Sequence, residues 1–301
     1  MTHNPAPDRS IAFIGGGNMA YALASGILRA DADRSVVVSD PVSEQLARFA
    51  SSPVRTTLDN TDAVAGASIV VLAVKPQVME GVARELAEAI DPQQLVVSIA
   101  AGVTVSALRA WLGSSAIVRC MPNTPALVGK GVTGLYADSG VSEAQRAEAE
   151  QLLRAVGDAV WFEQEGELDA VTALSGSGPA YFFAVIEALI EGGVELGLER
   201  EIAHRLVTGT AIGAATMVGP QDDPGELRVR VTSPGGTTER ALSVLASGGV
   251  AHTLRQAVHG AWQRSRELSG VEVDGNEGSA PPEAADSAAT LSRHTGEERR
   301  T

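Results

Sequence analysis

An apolar run at residues 11–14 opens directly into Gly15-Gly-Gly17-Asn-Met-Ala20 and then into a stretch of helical period. No other part of the chain restricts the fold as strongly. A buried strand that delivers the backbone straight into a glycine turn and a helix start is the opening unit of a doubly wound α/β sheet. Gly15 permits the tight turn, Gly17 lets the backbone approach a pyrophosphate, and Ala20 allows the helix to close on the strand. The helix start then offers its free N–H groups to an anion.

The rest of the first half keeps the same rhythm. Short apolar runs at 36–38, 69–72, 95–97 and 117–118 read as buried strands, and the segments 19–30, 43–50, 77–89 and 105–112 read as the helices that cover them. Residues 1–163 are therefore predicted to form a Rossmann-like, dinucleotide-binding domain. Aromatic residues make up only 4% of the chain while Ala, Gly and Val abound, which suits close helix packing on parallel strands better than a sandwich. Beyond residue 165 strand signals cease, and 179–196, 202–218, 237–246 and 250–268 all carry helical patterns. Residues 164–270 are read as an all-α domain for substrate binding and dimerisation. Its first two helices are apolar on more than one face, so a partner subunit is expected to cover them. From 271 to 301 the composition turns to Gly, Ala, Ser, Pro and Glu, which reads as a disordered tail. The Ser175-Gly-Ser-Gly-Pro179 segment reads as a tight turn with Pro at the first helical position.

A formal charge of −14 gives a field that repels phosphate backbones, so nucleic acid is not an expected partner. A single cysteine, Cys120, excludes an internal disulfide and a clustered-cysteine metal site. His204, His252 and His259 lack partners at metal spacing, and no metal is expected. No apolar run approaches the roughly 20 residues that span a bilayer, so no membrane association is expected and the cytoplasm is the expected compartment.

Three more loops lie where ligands bind in open α/β sheets, at the carboxyl ends of strands. At Ser39-Asp40, 25 residues beyond Gly15, an acidic side chain would accept from a ribose hydroxyl and repel a 2′-phosphate, or would cap a helix beginning at Pro41. The other two are Ala73-Val-Lys-Pro76 and Ser98-Ile-Ala-Ala-Gly102. Lys75, one of two lysines, is either a charge for a phosphate or ribose or a solvated loop residue.

Five segments together carry a family likeness. They are Phe13-Ile-Gly-Gly-Gly-Asn-Met19, Leu72-Ala-Val-Lys-Pro76, Arg119-Cys-Met-Pro-Asn-Thr-Pro-Ala126, and Leu174-Ser-Gly-Ser-Gly-Pro-Ala-Tyr181 with Val231-Thr-Ser-Pro-Gly-Gly-Thr-Thr238. In this order the chain resembles the pyrroline-5-carboxylate reductases over residues 11–268. The resemblance implies hydride transfer from NADPH, with NADH as the alternative, to a cyclic imine, giving proline. It implies that Ile14, Gly15, Gly16, Gly17, Asn18 and Met19 hold the pyrophosphate, and that Ser39, Asp40 and Asn60 meet the adenosine ribose. Ala73, Val74, Lys75 and Pro76, with Ile99, Ala100 and Ala101, would lie on the nicotinamide side. Asn123 would bond the cofactor's amide or stabilise its own turn.

The substrate carboxylate would sit on the amides of Ser233, Gly235, Gly236 and Thr237, for the reason that phosphates choose helix starts. Thr238 would then reach the ring nitrogen as the catalytic hydroxyl, and Glu165 would favour the cationic ring electrostatically. The resemblance also implies a homodimer, with assembly into a higher oligomer as an extension. Asp223, where the family often has His, and Val229, where it has a polar residue, depart from the pattern.

A β-hydroxyacid dehydrogenase has a similar layout but uses a lysine in its second domain, and none follows Lys130. A cofactor-binding sensor without a substrate site is the second rival, and the complete 233–238 segment argues against it.

Overall fold

The computed structural model describes residues 10–113 and 116–270. The predicted tail at 271–301 lies outside the described residues. The chain begins with β1 (Ile11–Ile14), α1 (Asn18–Ala30), β2 (Val36–Ser39), α2 (Ser43–Ala47), β3 (Arg55–Thr57), α3 (Asn60–Val64), β4 (Ile69–Leu72), α4 (Pro76–Leu86), β5 (Leu95–Ser98) and α5 (Val105–Leu112). The sheet continues through β6 (Ala116–Met121), a 3-10 turn (Thr124–Val128), β7 (Gly131–Ala137), α6 (Glu143–Arg154) and β8 (Gly157–Trp161). Helices follow: α7 (Glu167–Val171), a π-helical turn (Thr172–Gly176), α8 (Gly178–Glu195), α9 (Arg200–Thr216), α10 (Pro224–Arg230), α11 (Thr237–Ser247) and α12 (Val250–Leu268).

The eight strands lie in the order β3-β2-β1-β4-β5-β6-β7-β8. All neighbours are parallel except β6 and β7. The strand order reverses at β1 and β4, which creates the crevice where such sheets take ligands. Both faces of the central strands are buried, so their residues read as continuous apolar runs and still sort by alternation. Ile11, Phe13, Ile69, Val71, Leu95 and Val97 pack on the α1 and α6 side. Ala12, Ile14, Val70, Leu72 and Val96 pack toward α3, α4 and α5. Each such side chain, fully buried, contributes roughly 1.5–3 kcal/mol.

Two readings of the sequence need correcting. The 175–179 segment is not a tight turn: the Ser177 N–H donates to the Thr172 carbonyl at 2.8 Å, closing a π-helical turn between α7 and α8. Pro179 still occupies the first turn of α8, where its missing N–H costs nothing. In addition, the helical stretch Glu167–Glu195 spans 29 residues and contains an 18-residue window of mean hydropathy 1.4, long and apolar enough by length and composition to cross a bilayer. No single run of apolar letters revealed this, because scattered Gly, Ser and Glu interrupt the pattern. Only 17% of its most apolar window is buried within the chain, and Phe182 is 70% and Phe183 65% exposed. On α9, Leu206 and Ile212 are also exposed.

Specific contacts tie the helices to one another and to the sheet. Asp169, 4% exposed on α7, accepts the hydroxyl of the buried Ser265 from α12 at 2.7 Å. Farther along, α12 ends against the loop after β5, so close that a Cβ on Gly102 would lie 3.0 Å from the Leu268 side chain. The last helix thus leans on one of the loops at the ligand-binding edge of the sheet.

Candidate active site

The carboxyl ends of β1, β2, β4 and β5 gather the expected cofactor residues along one edge. The Gly15 N–H donates to the Ser39 carbonyl at 2.8 Å, and the Ala73 N–H donates to the Ile14 carbonyl at 2.8 Å. The Ile99 N–H donates to the Leu72 carbonyl at 3.2 Å, extending the edge to residues 99–101. Gly15 has φ +103°, and a Cβ there would meet the Ala73 carbonyl oxygen at 2.8 Å. The turn therefore requires glycine on conformational and steric grounds together.

α1 begins at Asn18 with Gly17 as its N-cap, and no side chain satisfies its first-turn N–H groups. A Cβ built on Gly17 would meet nothing within 4 Å, so there is open space where a diphosphate would approach these donors. Asn18 is exposed, Met19 is half-buried, and Asn18 Oδ1 accepts from Arg48 at 3.0 Å. Lys75 is exposed at the N-cap of α4, with Pro76 in its first turn. Val74 is half-buried and Ala100 is buried behind them.

At the end of β2 the two neighbouring polar residues part ways. Ser39 is fully buried, and its hydroxyl donates to Asn60 Oδ1 at 2.8 Å, so it builds the floor of the corner. Asn60 Nδ2 faces the Glu85 carboxylate at 3.3 Å. Asp40 does not cap a helix at Pro41, since α2 begins only at Ser43 with Val42 as its uncapped N-cap. Its Oδ2 accepts the Gly16 N–H and its Oδ1 the Val42 N–H, both at 2.8 Å.

Three other expectations are altered by the contacts observed. Asn123 spends its carboxamide internally: Nδ2 donates to the Ser175 carbonyl and hydroxyl at 3.2 and 3.0 Å, and Oδ1 accepts the Val132 N–H at 3.0 Å. It thereby ties the loop after β6 to the π-helical turn. Glu165 is not a free charge, because its Oε1 accepts from Arg119 Nη1 at 2.9 Å and from the Val105 N–H at 2.8 Å. The Arg119 side chain is 4% exposed, and a cation that deep in a sheet demands a counterion.

In the 233–238 turn, two of the four expected donors are already engaged. The Gly235 N–H donates to Glu239 Oε2 at 2.8 Å and the Gly236 N–H to the Ser233 carbonyl at 3.0 Å. The amides of Ser233 and Thr237 remain, joined by those of Thr238 and Glu239 at the start of α11. Gly236, the N-cap, supplies no side-chain acceptor for them. Gly235 sits at φ +70°, which bends the chain into the helix. Ser233, Gly235 and Thr237 are exposed, and among the described residues no hydrogen bond joins this turn to the strand-edge loops.

Sequence reasoning did not single out Arg119, Glu239 or Asp169. Arg119 had a signal, a lone charge inside an apolar strand. Glu239 and Asp169 matter only through contacts across turns and helices.

The chain is 51% identical over 264 residues to the pyrroline-5-carboxylate reductase of Pseudomonas aeruginosa, covering 86% of this chain and 96% of that one. It belongs to the pyrroline-5-carboxylate reductase family. The reductase of Glycine max is 40% identical over 88% of this chain and 98% of its own. Residues 165–268 match the family model described as pyrroline-5-carboxylate reductase dimerisation. Residues 10–102 match the model described as NADP oxidoreductase, coenzyme F420-dependent.

Among solved structures, a pyrroline-5-carboxylate reductase from Coxiella burnetii superposes with a TM-score of 0.82 at 42% identity, over 87% of this chain and 99% of that one. A Plasmodium falciparum pyrroline carboxylate reductase, solved with NADP bound, gives a TM-score of 0.79 at 30% identity, covering 88% of this chain and 100% of its own. The reductase is thus an oxidoreductase with a Rossmann-like sheet followed by helices, and its helical half is a homo-oligomerisation domain.

Proposed function

We propose that the chain reduces 1-pyrroline-5-carboxylate to L-proline, the last step of proline biosynthesis, using NADPH or NADH. The observation that supports this most is a pair of glycine-led helix starts with open donors, one in each half of the chain: Gly17 before α1 and Gly236 before α11. The first suits a diphosphate and the second a small carboxylate. The residues of the strand edge fit a dinucleotide, and when bound the dihydronicotinamide supplies the hydride.

The chain's own contribution is placement and electrostatics. The loop from Ile14 to Met19 holds the diphosphate, Asp40 and Asn60 border the ribose, and residues 73–76 and 99–101 flank the nicotinamide. The amides of Ser233, Thr237 and Thr238 hold the substrate carboxylate, while Gly235 and Gly236 shape the turn. The Thr238 hydroxyl bonds the ring nitrogen as it passes from protonated imine to amine. The hydride would form the new C–H bond at the ring carbon of the C=N group, the π pair of that group would move onto the nitrogen and neutralise it, and water would protonate the product amine. Glu165, already paired with Arg119, fixes the junction of the two halves beside the substrate.

We also infer a division into a nucleotide domain at 1–163 and a helical domain at 164–270. In this reading the chain is a cytoplasmic homodimer, open to further assembly, whose apolar α8 and α9 are covered by a second subunit and not by lipid or nucleic acid. The test is steady-state oxidation of NADPH and NADH by the purified protein with the cyclic imine. The expected result is imine-dependent oxidation with one proline formed per nucleotide consumed. Nucleotide binding without imine-dependent oxidation would instead favour a sensor.

A further inference from the structure

We propose that Asp169 and Glu165 are positioning residues for the nicotinamide: from the helical half they fix the outer end of the 99–104 loop and so set where the reactive ring lies. The inference rests on the reading that residues 99–101 flank that ring.

The sheet controls only the beginning of this loop. The Ile99 N–H donates to the Leu72 carbonyl at 3.2 Å, and Ala100 is buried behind it. Gly102 then turns the chain at φ +74°, and a glycine in that region is the point of greatest freedom in such a segment. Two contacts hold the loop from there on, and both come from the helical half.

The first is at Gly102 itself. α12 brings its last turn so close that a Cβ on Gly102 would lie 3.0 Å from Leu268 Cβ and 3.1 Å from the Leu268 carbonyl oxygen. Asp169 fixes that turn. Its Oδ1 accepts the Ser265 hydroxyl at 2.7 Å and the Ser269 hydroxyl at 3.4 Å, so two serines one helical turn apart bracket Leu268. Asp169 and Ser265 are both buried, and breaking their bond would leave polar groups unpaired away from water.

The second contact is at the start of α5. The Val105 N–H is a first-turn donor with no acceptor in its own helix, and the Thr104 hydroxyl takes the Ala107 N–H instead, at 3.2 Å. Glu165 Oε1 accepts the Val105 N–H at 2.8 Å and is itself held by Arg119 Nη1 at 2.9 Å. Arg119 stands opposite Ser98, the last residue of β5, so this clamp closes on the strand from which the loop departs. The adenosine end is built differently. Its side-chain hydrogen bonds run within the first half, from Gly16 and Val42 to Asp40 and from Ser39 to Asn60. Loosening the helical contacts should therefore disturb one end of the nucleotide and spare the other.

The test separates those ends. NADH, NADPH and ADP-ribose, which lacks the nicotinamide, are titrated by calorimetry into the full-length protein and into Asp169→Ala, Asp169→Asn, Ser265→Ala and Glu165→Ala variants, with circular dichroism as the check on folding. Ser265→Ala removes the Asp169 bond from its other side, and it decides the matter if Asp169→Ala does not fold. Both dinucleotides are expected to bind about threefold to tenfold more weakly to the three alanine variants, with ADP-ribose unchanged. Turnover of the cyclic imine should fall about tenfold or more in the same variants, because hydride transfer depends on the placement of the ring. Asp169→Asn keeps an acceptor for the serines and should recover most of both losses.

Equal weakening of ADP-ribose and the dinucleotides would overturn the proposal, since it would show general loosening. So would unchanged binding and turnover in folded Ser265→Ala and Glu165→Ala. If the unaltered chain bound NADH no more tightly than ADP-ribose and left the fluorescence of the reduced ring unperturbed, residues 99–101 would not meet the nicotinamide, and the reading beneath this proposal would fall with it.

Discussion

Thr238 carries the heaviest chemical assignment of any single side chain, and its surroundings show why a modest group suffices. It lies in the first turn of α11, beside amides that no side chain caps, and it has only to meet a nitrogen that already bears the positive charge. Thr238→Ala is expected to lower kcat by about tenfold to a hundredfold, the range lost with one aligned hydrogen bond, and to leave the affinity for the reduced nucleotide unchanged by calorimetry. Unchanged turnover would take the hydroxyl out of the mechanism. Cys120 is the opposite case, a reactive residue type with no reactive role. It is buried on β6, and desolvation holds its thiol far above the usual range. Since the thiolate is the nucleophile, the folded protein should resist maleimide at neutral pH and react fully once unfolded. Rapid labelling of the folded protein would contradict that.

Elements were legible where one physical cause dominated. β1, β4, α5 and α12 could be bounded from the letters because an apolar run or an amphipathic period had a single interpretation. β3 was missed because Arg55-Thr-Thr57 is a polar edge strand with no core face. β7 was missed because Gly131 and Gly134 break its apolar pattern, although Gly134 leaves room for Val171 of α7, whose side chain would lie only 2.9 Å from a Cβ placed there. α6 announces itself only through a capping box between Ser142 and Gln145, a signal of two residues amid charged sequence. The π-helical turn was out of reach, since one inserted residue changes hydrogen bonding without changing composition. At the site, the glycine loops were readable and the commitments of their donors were not, because Asp40, Asn123 and Glu165 find their partners only when distant segments meet. The Arg119–Glu165 pair joins β6 to the start of the helices and to the first turn of α5. Arg119→Met, which strands Glu165, is expected to cost about 3 kcal/mol or less, the discount reflecting a Glu165 side chain 24% exposed. Chemical denaturation would measure it, and a change under about 0.5 kcal/mol would refute the anchoring role.

For the whole molecule, the apolar surfaces of α8 and α9 are the dominant fact. Leu189, Phe182, Leu206 and Ile212 each expose more than half of their area in one chain. A dimerisation domain explains that exposure, and light scattering at micromolar concentration should give a dimer or a larger closed assembly, not a monomer. The 233–238 turn leads into α11 of the same helical half, while the proposed dinucleotide loop lies at the strand edge, so the proposed mechanism needs cofactor and substrate, held by separate halves, to meet at one small ring. The decisive measurement is a crystal structure of the assembled enzyme with reduced nucleotide and a non-reactive proline analogue. The expected result is the analogue's carboxylate on the amides of residues 233–238, with its ring about 3–3.5 Å from the nicotinamide. An analogue bound elsewhere, or held on that turn but distant from the nicotinamide, would contradict the account.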